Sequence, residues 1–290
     1  MSLNIVSSTE KNGNVEDKYG VTHVCHAIKK GDKDLILVYI QQGLDMNYRN
    51  SVDGVTAFIR ACNTGNVDIV KFLLDHVNNL NINMTDKCGH SALDYSCQYG
   101  HNEILRLLLQ RSELQVKLYS IQKGLTNIDV NISKELIDRY KIQGNSLLNL
   151  LIFLAKEPAS LDLFQYALGD KTNSIVLADD IFLSACQEQN NIDTVDWLLN
   201  EGGEFKSKIN TCTDVKGMTG LMHAAYSQSY SIVKLLLENG ADPHVKDHNN
   251  SDAIYWAEMS YDDGADYMRV RDPPDIVVDI IQILREYEPH

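Results

Sequence analysis

The chain has 290 residues, of which 44% are hydrophobic and 23% charged, and a formal net charge of −14. This composition excludes wholesale disorder, and no apolar run reaches the roughly 18 residues that a membrane-spanning helix needs. The N-terminus, MSLNIVSSTEKNGN, lacks the basic and apolar regions of a secretory signal, so we expect a soluble, cytoplasmic protein.

The negative charge is concentrated toward the C-terminus. Residues 1–110 carry a net charge of −2, residues 111–170 of 0 and residues 171–290 of −12. Because this acidity repels phosphate backbones and anionic lipid headgroups, we expect neither nucleic acid nor a membrane as partner. The six cysteines form no C-x-x-C pair, which indicates reduced thiols rather than a disulfide framework.

After a polar segment, residues 1–16, which we expect to be a flexible tail, the chain repeats one pattern. An Asp and a Gly lead to a Thr or Ser, a short apolar helix, a turn, a second apolar helix and a loop. The first third of the chain contains this pattern at residues 17–50, 51–85 and 86–111. Its clearest copy lies at residues 214–246, where Thr219 begins the first helix and Gly240 follows the second.

The pattern is lost after residue 111. Residues 112–140 contain helical patches without the repeat frame, and we interpret them as a helical insertion. The frame returns in four copies at residues 141–174, 175–213, 214–246 and 247–290. The last copy contains an acidic loop, residues 261–275, that we interpret as a second insertion.

A residue able to cap a helix N-terminus opens each of the seven copies. These residues are Thr22, Thr56, Ser91, Ser146, Asp180, Thr219 and Asp252. Five positions after each cap a small residue recurs, with Leu151 as the exception, which lets neighbouring helices approach closely. One helix pair cannot bury enough apolar surface to fold alone, so neighbouring copies must supply the rest of the core.

The spacing D-x-x-G-x-T-x-L-x-x-A-A, followed by I-V-K-L-L-L-x-x-G-A-D, resembles an ankyrin repeat. The resemblance implies an all-α fold, an α-solenoid of about seven helix-turn-helix repeats with short β-hairpin loops. One departure is general: the family's proline after the cap is absent, and Gly220 stands there in the clearest copy. The resemblance further implies a non-catalytic interaction scaffold without cofactors, which we expect to be a monomer.

Residue types that could carry chemistry have simpler explanations in the repeat frame. Three cysteines share one repeat position, which indicates a small buried residue rather than a nucleophile: Cys62, Cys97 and Cys186. His23 and His26 share a helix face but lack a second pair of zinc ligands. Three acidic residues fail to match the spacing of a calcium-binding loop: Asp262, Asp263 and Asp266. We therefore predict no catalytic residue and no metal ion.

In ankyrin repeats the hairpin tips and the exposed side of the first helix line a concave face, where partners usually bind. Carried onto the first three copies, the resemblance selects Lys18, Tyr19, Lys29, Lys30, Val52, Asp53, Asn63, Lys87, His90, Gln98 and Tyr99. In the last two copies it selects Lys216, Met218, Tyr226 and His248. We predict a protein partner with an acidic or mixed segment at the first three copies, or a basic segment at the acidic C-terminal half.

Two other functions stay open. An effector or enzyme-like protein would place its site in the insertions, at residues 112–141 or 261–275. A stoichiometric inhibitor or structural spacer would cover a partner's site with the same concave face. The lysines of the first copies also have an alternative interpretation, in which they only solvate an exposed rim.

Overall fold

Paired short helices make up most of the part of the chain that the computed structural model describes: residues 14–17, 21–124, 127–142, 146–157, 161–169, 178–201, 204–261 and 274–287. The chain divides into a first unit, residues 1–145, and a second unit, residues 146–290. The first unit contains α1 (His23–Lys30), α2 (Lys33–Gln41), α3 (Ala57–Asn63), α4 (Val67–His76), α5 (Ala92–Gln98), α6 (Asn102–Leu109), α7 (Leu118–Gly124) and α8 (Val130–Ile142). The second contains α9 (Leu147–Lys156), α10 (Leu161–Leu168), α11 (Asp179–Cys186), α12 (Ile192–Asn200), α13 (Gly220–Tyr226), α14 (Tyr230–Glu238), α15 (Ala253–Met259) and α16 (Asp275–Glu286).

Side-chain caps begin most of the first helices, as the sequence predicts. The Thr22 hydroxyl accepts a hydrogen bond from the backbone N–H of Cys25, and the same bond, three residues ahead, is made in five other copies. Those caps are Thr56, Ser91, Ser146, Thr219 and Asp252. The seventh predicted cap, Asp180, is wrong, because α11 begins at Asp179 with Ala178 as its N-cap. Asp180 instead lies in the first turn, where the helix dipole stabilises a carboxylate.

The core of each unit lies between stacked helix pairs. In the first unit the first helices α1, α3, α5 and α7 pack side by side, and the second helices α2, α4, α6 and α8 form a row behind them. In the second unit α9, α11, α13 and α15 pack in the same order. The predicted small residues lie at these contacts, and Ala61 and Ala224 are fully buried. The fold is therefore all-α, with the stacking of an α-solenoid within each unit, which confirms the predicted fold class.

Residues 112–140, which lack the repeat frame and are interpreted above as a helical insertion, pack in the structure as a further helix pair. They contain α7 and most of α8, and these helices pack on α5 and α6 as each pair packs on the one before it. Leu136 and Ile137 of α8 are fully buried. The described residues thus contain eight helix pairs, where the sequence predicts about seven repeats.

The loops that lead into the first helices form short fingers. Among the described residues their β-structure is limited to isolated antiparallel bridges, Glu16 with Thr22, Thr85 with Ser91 and Thr213 with Thr219. Neighbouring fingers are joined through the backbone, as where the N–H of Lys87 donates to the carbonyl of Asp53 at 2.8 Å and the N–H of His248 to that of Lys216 at 2.9 Å. The fingers therefore form a continuous edge along neighbouring repeats within a unit.

Asparagine side chains join the loops that follow the second helices. The Asn47 amide donates to the carbonyl of Asn79 and accepts from the N–H of Asn81, both at 2.8 Å. Asn83 and Asn210 make the same two bonds to the next loop. Each of these asparagine side chains thus satisfies one carbonyl and one N–H of the next loop, which have no backbone partner in the neighbouring loop.

Candidate protein-binding face

A carboxylate holds each of several fingers against its helix, and it is buried at Asp86 and Asp247. One oxygen of Asp86 accepts the backbone N–H groups of Cys88 and His90, each at 2.9 Å, and the other accepts the phenol of Tyr95 at 2.7 Å. Burial, and then the hydrogen bond to Asp86, raises the pKa of Tyr95 above its ordinary value, so the phenol stays a donor. The finger and the exposed side of α5 are thereby fixed to one another.

The same contact recurs between residues nine apart in the sequence. It joins Asp17 to His26 at 2.9 Å and Asp247 to Trp256 at 3.1 Å, and Asp214 lies 3.2 Å from Nε2 of His223 as an ion-pair partner without hydrogen-bond geometry. His26 is thus held by a carboxylate of the finger. The ring always lies four residues after the cap, and none of these rings is among the predicted binding residues. An Asp with a His, Tyr or Trp nine residues later is a periodic signal that could have found it.

Aromatic rings gather on the side of α5 and α7 that faces the fingers. His90 and Tyr119 stack with their ring centroids 5.1 Å apart and share a hydrogen bond of 2.8 Å. Tyr95 packs edge-on against His90 and stacks with Tyr99, whose side chain is 52% exposed. The ammonium of Lys123 lies 5.2 Å from the centre of the Tyr119 ring. These rings form an ordered surface because hydrogen bonds fix the hydroxyl groups of Tyr95 and Tyr119.

Lysines dominate the exposed charge of this part of the molecule. Lys29 and Lys30 are exposed at the end of α1, and the Lys87 ammonium donates to the carbonyl of Ser51 on the neighbouring finger. Two acidic residues of the fingers are already engaged: Asp86 binds Tyr95, and Asp53 lies 3.6 Å from the guanidinium of Arg60. We define the finger–helix face as the fingers of the first unit together with the exposed side of α1, α3, α5 and α7.

Most of the predicted binding residues lie at the surface. The exposed ones are Lys29, Lys30, Val52, Asp53, Lys87, Tyr99, Lys216, Tyr226 and His248, and the half-buried ones are Asn63, His90 and Gln98. The prediction that Met218 is a binding residue at the surface is wrong, because its side chain, in the finger that precedes Thr219, is only 4% exposed. Lys18 and Tyr19 lie outside the described residues, as do Asp262, Asp263 and Asp266 of the predicted second insertion.

The described residues offer little to other kinds of site. No three His, Cys, Asp or Glu side chains among them are placed to hold a metal ion, and none of their helices has the length and hydropathy to cross a membrane. Burial raises the pKa of Cys62 to about 12, which disfavours the nucleophilic thiolate. An open groove of about 460 Å³ lies between α6 and α8, lined by Arg106, Gln110, Asp129, Asn131, Ile132 and Glu135.

Comparisons with known proteins agree with this architecture. The family model for ankyrin repeats (3 copies) matches residues 11–118, 146–247 and 181–268. An ankyrin repeat protein of Acanthamoeba polyphaga mimivirus is 27% identical over 169 residues, which are 54% of this chain and 21% of that protein. Inversin from Danio rerio is 42% identical over 60 residues, 21% of this chain and 6% of inversin. The chain thus spans a small part of the length of these relatives.

Among solved structures, the ankyrin repeat domain of Bcl-3, a member of the IkappaB protein family, is similar, with 16% identity and a TM-score of 0.45. The similarity covers 91% of this chain and 100% of that one. The family model, in contrast, matches well over half of this chain. The chain belongs to the ankyrin repeat family.

Proposed function

We propose that the protein is a non-catalytic binding module whose finger–helix face takes an acidic or mixed segment of a partner protein. Ankyrin repeats are generally protein–protein interaction modules. The segment would lie across the fingers and against the exposed side of the first helices. The predicted residues that remain at the surface, from Lys29 to Tyr99, would contact it.

The partition of charge on the face is the observation that carries the proposal. Its carboxylates are engaged by the protein itself, since Asp17, Asp53 and Asp86 each bind a side chain of the adjoining helix. Lys29 and Lys30 form no ion pair within the described part of the chain, and both are exposed. The charge available to a partner is therefore positive, which favours an acidic segment and raises its rate of association.

The ordered rings next to these lysines supply the apolar part of the interface. Tyr and His side chains have few rotatable bonds, and those of Tyr95 and Tyr119 are further fixed by hydrogen bonds, so little conformational entropy is lost on binding. Exposed tyrosine is also a residue type enriched among residues that dominate binding energy. Tyr99 is thus the proposed anchor.

Selection from a random peptide library on the full chain tests the proposal without knowledge of the natural partner. We expect a class of peptides rich in Asp and Glu whose affinity falls with added salt. Lys29→Glu with Lys30→Glu should weaken these peptides at least about tenfold and lower their salt sensitivity. The matched control is Lys71→Glu with Arg106→Glu, which makes the same charge change on the second helices and should leave affinity within about twofold. Acidic peptides that bind both double variants equally well would contradict the proposed polarity.

The other functions are less favoured by the structure. Residues of the predicted enzyme-like site at 112–141 are largely used in packing, since Ile121, Ile132 and Leu136 are buried between helices. A stoichiometric inhibitor would use the same finger–helix face, and it would differ only in that binding blocks the partner's own activity. The basic segment that the sequence predicts for the acidic C-terminal half concerns the second unit.

A further inference from the structure

Three aromatic side chains of the second unit meet where the end of α13 lies beside α15. The ring centroids of Tyr226 and Trp256 are 5.8 Å apart with their planes at 86°, and those of Tyr255 and Trp256 are 5.6 Å apart, also at 86°. Tyr226 is 45% exposed and Tyr255 44% exposed. The indole is therefore flanked by two accessible phenol rings, each turned perpendicular to it.

A buried carboxylate fixes the indole. The Trp256 N–H donates to Asp247, which is 6% exposed and also accepts the backbone N–H groups of Asn249 at 2.8 Å and Ser251 at 2.9 Å. Burial alone would raise the pKa of Asp247, but these three hydrogen bonds outweigh it and leave the pKa below its ordinary value. Asp247 therefore remains charged at neutral pH, with its negative charge at the edge of the ring group.

All of the chain's excess negative charge lies in the unit that carries these rings. Residues 1–145 contain 16 basic and 16 acidic side chains, whereas residues 146–290 contain 10 basic and 24 acidic ones. Two carboxylates also follow first helices of this unit, Glu157 next to Lys156 at the end of α9 and Glu188 after α11. Burial, and then repulsion by Glu188, raises the pKa of Glu157, so these two carboxylates lie near each other.

We infer that Tyr226, Tyr255 and Trp256 form a recognition site for a lysine or arginine side chain on a basic segment of a partner protein. The face of an aromatic ring carries negative partial charge and attracts a cation that lies over it, and the net negative charge of the second unit raises the local concentration of such a segment. An apolar partner would not make use of this charge. The inference rests on the proposal that the protein is a binding module, but not on the acidic segment assigned to the first unit.

Binding of a defined peptide to the full chain tests the inference. The probe is a nine-residue peptide of Lys and Arg alternating with Ser and Gly, and its counterpart has Glu in place of each basic residue. Tyr226→Leu with Tyr255→Leu keeps apolar surface but removes two ring faces, and we expect it to weaken the basic peptide about tenfold. Phe72→Leu, which removes a half-buried ring from α4 of the first unit, outside the finger–helix face, is the control and should change affinity by less than about twofold.

A second measurement uses the unaltered protein and does not depend on how the double variant folds. The chain has two tryptophans, Trp197 and Trp256, and Trp256→Phe identifies their indole N–H signals by NMR. The basic peptide should shift the signal of Trp256 and leave that of Trp197 in place. An unmoved Trp256 signal, equal affinity of the basic peptide for the double variant and the wild type, or an equal shift of the Trp256 signal by the acidic counterpart would each overturn the inference. None of these results bears on the acidic peptides that test the first unit.

Discussion

The helix pair α7 and α8 allows a direct test of how far the packed array extends in the first unit, because the repeat frame fails there in the sequence. Leu136 of α8 is fully buried. Its replacement by alanine removes three carbon atoms, each worth about 0.8 kcal/mol of transfer free energy, and leaves a cavity in the row that contains α6 and α8. We expect Leu136→Ala to lower the free energy of unfolding by about 3 kcal/mol.

Urea unfolding followed by circular dichroism measures this loss. Both tryptophans, Trp197 and Trp256, belong to the second unit, so their fluorescence separates its transition from that of the first. Leu108→Ala on α6, which is equally buried, should cost a similar amount, whereas Glu135→Ala on the exposed side of α8 should stay within about 0.5 kcal/mol. A loss below about 1 kcal/mol for Leu136→Ala, next to a normal loss for Leu108→Ala, would refute the reasoning.

Three further predictions concern single positions. A Cβ at Gly220 would lie 2.9 Å from a ring carbon of Phe182 and 3.1 Å from the sulfur of Cys186, so Gly220→Ala should lower Tm although alanine is the better helix former by about 1 kcal/mol. Burial lowers the pKa of His223 below 6.5, so the folded state takes up this proton at lower pH than the unfolded chain. Stability should therefore be retained above about pH 6.5 and fall below it, and His223→Gln should flatten this decline in unfolding measured from about pH 7 to 5. Of the six cysteines only Cys88 is exposed, so one thiol should react quickly with an aromatic disulfide reagent, and Cys88→Ser should abolish that phase; two fast thiols would contradict the packing.

Much of the local structure follows from the sequence because caps and apolar spacing act over a few residues. Thr219 caps α13, and Gly240, with a φ of 92°, follows the end of α14, as the sequence predicts. The pair α7 and α8 was missed because the loop before it, residues 110–117, is eight residues long, while the loop before α5, residues 77–91, has fifteen. A loop this short has no room for the D-x-x-G-x-T finger, and only tertiary packing identifies the repeat.

The exposure of the proposed binding residues could be predicted at the ends of the first helices, where the distance from the cap decides which way a side chain points. It was harder to predict in the fingers. Lys30 and Tyr99 lie at equivalent positions after their caps and are both exposed. Met218 and Val55 each lie directly before a cap, and both are buried. Successive side chains of an extended strand point to opposite sides, so an error of one residue reverses the expected exposure. The aromatic contacts between α5 and α7 depended on recognising α7 and were therefore outside the reach of the sequence.

In the repeats with this contact, the Asp of the finger stays the same, whereas the ring that it binds, four residues after the cap, differs from repeat to repeat. Asp17, Asp86 and Asp247 accept hydrogen bonds from an imidazole, a phenol and an indole with closely similar lengths. A single substitution four residues after the cap can therefore present a titratable, a polar or a largely apolar ring to the surroundings without a compensating change in the loop. Such repeats can diverge in what they recognise while their architecture stays the same.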